Sequence, residues 1–165
     1  MFMSHQPVID GFEFASAGAA QQGAWPLSGF ARLRELLASD AGEVGYALQG
    51  TRDARGRPSL RVSVSGTLQL RCQRCLEPMP FKVQAEELLV LAATQAEIDA
   101  EPADASVPDR VVAGKEMAVR ELIEDQLILE LPYAPRHEFC NGLETEADAS
   151  ISPFAGLRGL IQRKQ

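Results

Sequence analysis

The residues of this chain best suited to metal or redox chemistry are three cysteines and two histidines among 165 residues. Cys72 and Cys75 sit two residues apart in "LRCQRCLEP", and Cys140 follows His137 at the same spacing. His5 falls in the N-terminal tail. A Cys-x-x-Cys pair supports two kinds of chemistry. A redox dithiol sits where a strand runs into a helix N-terminus, whose dipole stabilises the thiolate. Here Cys75 is followed by "LEPMPF", two prolines and a return to strand pattern, so no helix is expected and redox chemistry is disfavoured. Half of a zinc site instead needs a tight turn that presents two thiolates, with two further nitrogen or sulfur ligands from elsewhere. His137 and Cys140 would complete a Cys3His set with Cys72 and Cys75. Set against one structural zinc stands the alternative of three free thiols, and the residues alone leave both open.

The elements around these residues must place them. From 43 to 93 the apolar period is two: "VGYALQG" precedes a turn at "TRDARGRPS", and "LRVSVSGTLQLRC" puts Leu60, Val62 and Val64 on one face with Arg61, Ser63 and Ser65 on the other. "MPFKVQAEELLVLAA" resumes the alternation. Cys72 to Cys75 therefore lie at a turn between strands. Helical spacing marks "LSGFARLRELLASD", with Ser28 as N-cap, and "GKEMAVRELIEDQLILELP". In the second, Val119, Leu122, Ile123 and Leu127 share a stripe and Arg120 is expected to pair with Glu124. The apolar run Leu127-Ile128-Leu129 predicts a helix buried on two sides. A third helix is expected at "SPFAGLRGLIQRKQ", with Pro153 in its first turn. The fold class is α+β: a single domain, 1–165, with an antiparallel sheet of about four or more strands packed by two or three helices. Residues 1–26 form a variable N-terminal segment with a short strand at "DGFEFA"; 94–109 is an acidic exposed loop and 141–151 a polar one.

With 45% hydrophobic and 24% charged residues, the chain has the composition of an ordinary globular domain and needs no metal simply to fold. Its apolar runs are too short for a membrane span, and the N-terminus lacks the pattern of a secretory signal. An odd number of cysteines in such a chain points to a reducing, cytoplasmic setting of bacterial type.

The net charge of −7 hides a split. Residues 51–85 carry seven basic groups against two acidic, whereas 86–130 carry twelve acidic against three basic. Two faces of opposite potential follow, or else a solvated surface whose charges happen to segregate. Arg61, Arg71, Arg74 and Lys82, with Arg163 and Lys164 at the C-terminal end, are the candidate phosphate contacts. Glu121, Glu124 and Asp125 look like a solvated helix face rather than a nuclease site, and no catalytic arrangement stands out.

"CQRCLEP", "GKEMAVRELIEDQLILELPYAPRH", Cys140 and "SPFAGLRGLIQRK", in that order, resemble the YceD family of large ribosomal RNA subunit accumulation proteins. The resemblance covers most of residues 59–163. It implies a role in the synthesis, processing or stability of large-subunit (23S) ribosomal RNA, with no catalytic mechanism to carry over. The partner expected on this basis is precursor RNA or a pre-ribosomal particle. A ribosomal protein or assembly factor, bound through the acidic face with no direct RNA contact, is the alternative.

Overall fold

Leu60, Val62, Val64, Leu68 and Leu70 are all buried, and the residues between them are exposed or half-buried. This alternation builds β5 (Pro58–Arg71), the central strand of the fold. The structure is a computed structural model that describes residues 7–102 and 107–140. On one side β5 pairs antiparallel with β6 (Pro78–Ala92) along almost its whole length. On the other side it pairs with β4 (Glu43–Arg52) and, beyond that strand's end, with β3 (Leu37–Ser39). The chain bends between β3 and β4 at Gly42, whose φ of 109° is open to glycine and strained for other residues.

The edges of the sheet depart from the sequence expectation. β2 (Ala20–Pro26) joins β4 antiparallel, so the N-terminal segment is part of the main sheet. β7 (Arg110–Val112) adds to β6 in parallel, which makes the six-stranded sheet mixed rather than purely antiparallel. A separate two-stranded ribbon pairs β1 (Val8–Ile9) with β8 (Met117–Ala118).

One face of the sheet is covered by α1 (Gly11–Ser16), α2 (Ala31–Leu36) and α4 (Val119–Leu129). Leu27, Phe30, Leu33, Val119, Ile123 and Leu127 are fully buried against Val44, Leu48 and the inward residues of β5. The expected stripe on α4 is therefore correct, but Leu129 is 72% exposed and the helix is not buried on two sides. The opposite sheet face carries Arg61, Ser65, Thr67, Lys82, Gln84 and Glu86, all exposed.

Three local expectations are corrected. "DGFEFA" is the helix α1, because Asp10 caps it by accepting the Glu13 N–H (3.0 Å) and the buried residues, Gly11 and Ala15, are four apart. The helix must come close to the sheet: a Cβ at Gly50 would overlap the Phe14 carbonyl and lie 2.8 Å from the Ala15 Cα. The acidic stretch 94–109 holds a short helix, α3 (Gln95–Asp99), opened by Thr94, whose Oγ1 accepts the Glu97 N–H (3.3 Å) while the Glu97 carboxylate accepts the Ala93 N–H (2.9 Å). Ser28 lies in a 3-10 turn (Leu27–Gly29), and α2 starts only at Ala31. The expected helix at "SPFAGLRGLIQRKQ" and the loop 141–151 lie outside the described residues.

The turn from β4 to β5 is held by one carboxylate. Asp53 accepts the Arg55 N–H (3.0 Å), the Arg57 N–H (2.7 Å) and the Arg57 Nε (2.8 Å). Burial pushes its pKa up, but these three donors outweigh burial and hold it below the ordinary aspartate value. Asp53→Ala should cost about 2 kcal/mol at neutral pH. Because the folded-state pKa is depressed, that contribution is complete above the unfolded value of about 3.9 and fades as pH falls further. Urea denaturation of both proteins at neutral pH and in acid should show the gap closing in acid; a gap independent of pH would refute the assignment.

Candidate metal centre

Strand β5 ends at Arg71 and β6 begins at Pro78, so Cys72 to Glu77 form the connection between them, as expected. The connection folds into a knuckle. The Leu76 N–H donates to the Cys72 carbonyl (2.9 Å), the Cys72 N–H to the Glu77 carbonyl (3.0 Å), and the Arg74 N–H to Cys72 Sγ (3.4 Å). Leu76 pays for this tight geometry with a φ of 64°, the left-handed region, which costs a residue with a Cβ about 1–2 kcal/mol. No helix follows Cys75.

The segment after α4 comes back to this knuckle. The Gln73 N–H donates to the Pro135 carbonyl (2.8 Å), which draws residues 133–140 alongside it. Cys140 Sγ then lies 3.7 Å from Cys72 Sγ, and His137 Nδ1 lies 3.3 Å from Cys75 Sγ. One ligand atom from each of Cys72, Cys75, His137 and Cys140 falls within 4.8 Å of the other three. Sulfurs on one tetrahedral zinc would be roughly 3.8 Å apart, given Zn–S bonds of about 2.3 Å. The four residues fit a metal ion. Cys72 is buried and the other three are half-buried.

The donor chemistry agrees with the spacing. Burial pushes the Cys72 thiol up, but the backbone N–H groups of Cys75, His137 and Arg74, aimed at its sulfur, bring its pKa down to about 5. Burial and the neighbouring sulfurs of Cys72 and Cys75 raise Cys140. Three close thiols cannot all ionise without a cation among them, and a bound metal supplies one. His137 Nε2 sits 3.3 Å from the Pro78 carbonyl. A carbonyl can only accept, so Nε2 is the donor there, and Nδ1 is the nitrogen that faces the Cys75 sulfur. A ligating histidine is commonly oriented in this way.

Residues 60–160 match the family model described as large ribosomal RNA subunit accumulation protein YceD. The chain belongs to the YceD family. The match spans more than half of the chain, includes all four residues of the cluster, and links the protein to accumulation of large-subunit ribosomal RNA. It leaves β1, α1, β2, α2, β3 and the whole of β4 to one side. No curated protein and no solved structure matches the chain.

The candidate phosphate contacts are dispersed differently. Arg61 is tied to Glu86 (2.8 Å) on the open sheet face. Arg71, Arg74 and Lys82 are exposed, and none forms an ion pair among the described residues. Arg71 and Arg74 flank Cys72, so the free cations gather at the knuckle end of the sheet. Arg163 and Lys164 lie outside the described residues.

Glu124 is the residue whose place was misjudged from sequence. It is 6% exposed, not part of a solvated face, and it pairs with Arg32 rather than Arg120. Its Oε1 accepts the Arg32 N–H (2.7 Å) and the Leu33 N–H (3.0 Å), while Oε2 accepts the Arg32 guanidinium. Asp125 takes the other arm of Arg32 (2.6 Å). Arg120 instead lies 5.2 Å above the Trp25 ring. The absence of a capping residue at Phe30 was the one sequence signal that α2 needed an acceptor from elsewhere.

Proposed function

We propose that this YceD-family protein is a non-enzymatic ribosome-biogenesis factor of the cytoplasm. It supports the synthesis, processing or stability of 23S ribosomal RNA by binding the precursor RNA or an assembly intermediate. The metal is zinc, bound by Cys72, Cys75, His137 and Cys140, and its task is structural: four protein ligands leave no open position for water or substrate. What carries the reading is the knuckle itself. A Cys/His turn presents Arg71 and Arg74 to solvent, and neither forms an ion pair among the described residues. Lys82 extends this cationic edge along the sheet, and Arg163 and Lys164 add to the same charge in the sequence. Arg61 contributes less, because Glu86 already holds it. No helix among the described residues is long and apolar enough to cross a membrane.

Filter binding of large-subunit precursor RNA at two salt concentrations tests the proposal. Each phosphate contact contributes about 0.7–0.9 to the slope of log affinity against log salt. Arg71→Ala/Arg74→Ala should therefore weaken binding and lower the slope by about 1.5. Affinity indifferent to salt and to both substitutions would reject direct RNA binding.

The net charge of −7 favours a second reading, in which the acidic surface meets a basic ribosomal protein or assembly factor. Partners retained in a pull-down after nuclease digestion would support that reading over the first.

A further inference from the structure

Aromatic and large aliphatic side chains seldom stand fully in water without a reason when several gather in one place. Among the described residues, three of the seven exposed large apolar side chains belong to the Cys/His knuckle and the segment pinned to it: Leu76 (63%), Phe139 (83%) and Tyr133 (105%). Phe139 sits between His137 and Cys140, both members of the cluster, so its backbone is anchored on either side while its ring is free. Tyr133 lies two residues before Pro135, whose carbonyl accepts the Gln73 N–H. Neither ring is among the buried or half-buried apolar residues of the core.

We propose that Tyr133 and Phe139 form a stacking platform for unpaired nucleotides, so that the knuckle grips a single-stranded stretch of RNA. The inference rests on the RNA-binding reading above and deepens it by naming the form of RNA. Exposed rings stack on base faces irrespective of sequence, and an anchored backbone reduces the ordering cost of doing so. Phosphate partners stand alongside: Arg71 and Arg74 on the knuckle and Arg136 next to His137, all exposed. Glu77 and Glu138 stand there too, so the attraction is local to the arginines rather than general.

A protein-docking patch would place its apolar side chains together at a centre depleted of charge, with cations at the rim. Here arginines and rings alternate along the chain, as in Tyr133, Arg136 and Phe139, which suits a polymer that alternates bases and phosphates. A duplex hides its base faces within the stack, so it could use the arginines but not the rings.

The test uses the full chain loaded with metal. Fluorescence anisotropy follows a labelled, unstructured pyrimidine RNA and a duplex RNA of equal length. Tyr133→Ala/Phe139→Ala should weaken binding of the single strand at least about ten-fold, with salt slope, bound metal and duplex affinity as in the unaltered chain. Tyr133→Phe should keep the single-strand affinity. A double variant that retains its metal and binds the single strand like the unaltered chain overturns the platform while leaving RNA binding intact. Nuclease-resistant capture of a protein that needs the two rings, with RNA affinity unchanged, overturns it as well. An unaltered chain that binds neither RNA overturns the platform together with the RNA-binding reading on which it rests.

Discussion

Cys72→Ser is expected to reduce bound zinc from about one equivalent to less than a tenth, and to lower the melting temperature by about ten degrees without unfolding the protein at room temperature. Cys72 is the buried member of the cluster; its sulfur accepts the Arg74 N–H and lies 3.7 Å from Cys140 Sγ in the other half of the site. A serine oxygen at that position is a much poorer zinc ligand than a thiolate, and three remaining ligands do not close a structural site. A metal held by the four residues would link positions 68 residues apart in sequence, Cys72 and Cys140. By loop-closure entropy, a cross-link over that span is worth about 4 kcal/mol. For a chain of this length each kcal/mol moves the midpoint by about 2–4 degrees.

The loss should be local. The sheet and α1, α2 and α4 share a core that does not include the knuckle, so hydrogen exchange should accelerate over 70–78 and 133–140 while the centre of β5 stays protected. A chelator applied to the unaltered chain should reproduce the pattern. Elemental analysis of protein purified without added zinc decides the matter first. Metal-free protein with full stability and a protected knuckle would mean that the cluster is three free thiols and a histidine.

The second large effect lies away from the cysteines. Glu124→Ala is expected to destabilise the fold by about 3 kcal/mol, whereas Glu124→Gln should cost about half as much. The amides of Arg32 and Leu33 are the second and third of α2, the two that an N-cap side chain normally satisfies. Phe30 stands at that cap with no oxygen to offer, and Glu124 reaches across from α4 to supply one. Alanine leaves both amides and the guanidinium of Arg32 without their acceptor. Glutamine keeps an oxygen for the amides but turns an amide group toward Arg32. Arg32→Ala should cost less than Glu124→Ala, because Arg32 is half in solvent and its loss leaves the two backbone bonds intact. Chemical denaturation of the single and double variants measures the coupling. Equal small losses for Glu124→Ala and Arg32→Ala would show that the helix caps itself in some other way.

Both expectations show how the information is distributed along the chain. The strands β4, β5 and β6 were legible because period-two alternation is a local property: from Leu60 onward each buried residue on β5 is followed by one that is not. The stripe on α4 was legible for the same reason. The Cys/His inventory was so short that only one four-ligand set could be drawn from it outside the tail. Where reading failed, two local signals competed. In "DGFEF" the alternating phenylalanines suggested a strand, yet Gly11 and Ala15 are the buried pair and Asp10 caps a helix. The acidity of "TQAE" points to a loop, although Thr94 caps α3.

Sequence alone therefore determined which residues are available for metal chemistry, which strands flank the Cys-x-x-Cys turn, and the family to which the chain is similar. The tertiary structure alone decided that His137 and Cys140 close on Cys72 and Cys75, that Glu124 is a buried cap for a helix in another part of the chain, and that β7 runs parallel at the sheet edge. The reason is the same in each case. Alternation and capping act between residues a few positions apart, where chain geometry fixes the distance. The decisive contacts here join residues 20 to 92 positions apart, as between Val90 and Arg110, Cys75 and His137, or Arg32 and Glu124. No local pattern specifies such a distance; only the packing of the intervening sheet and helices does.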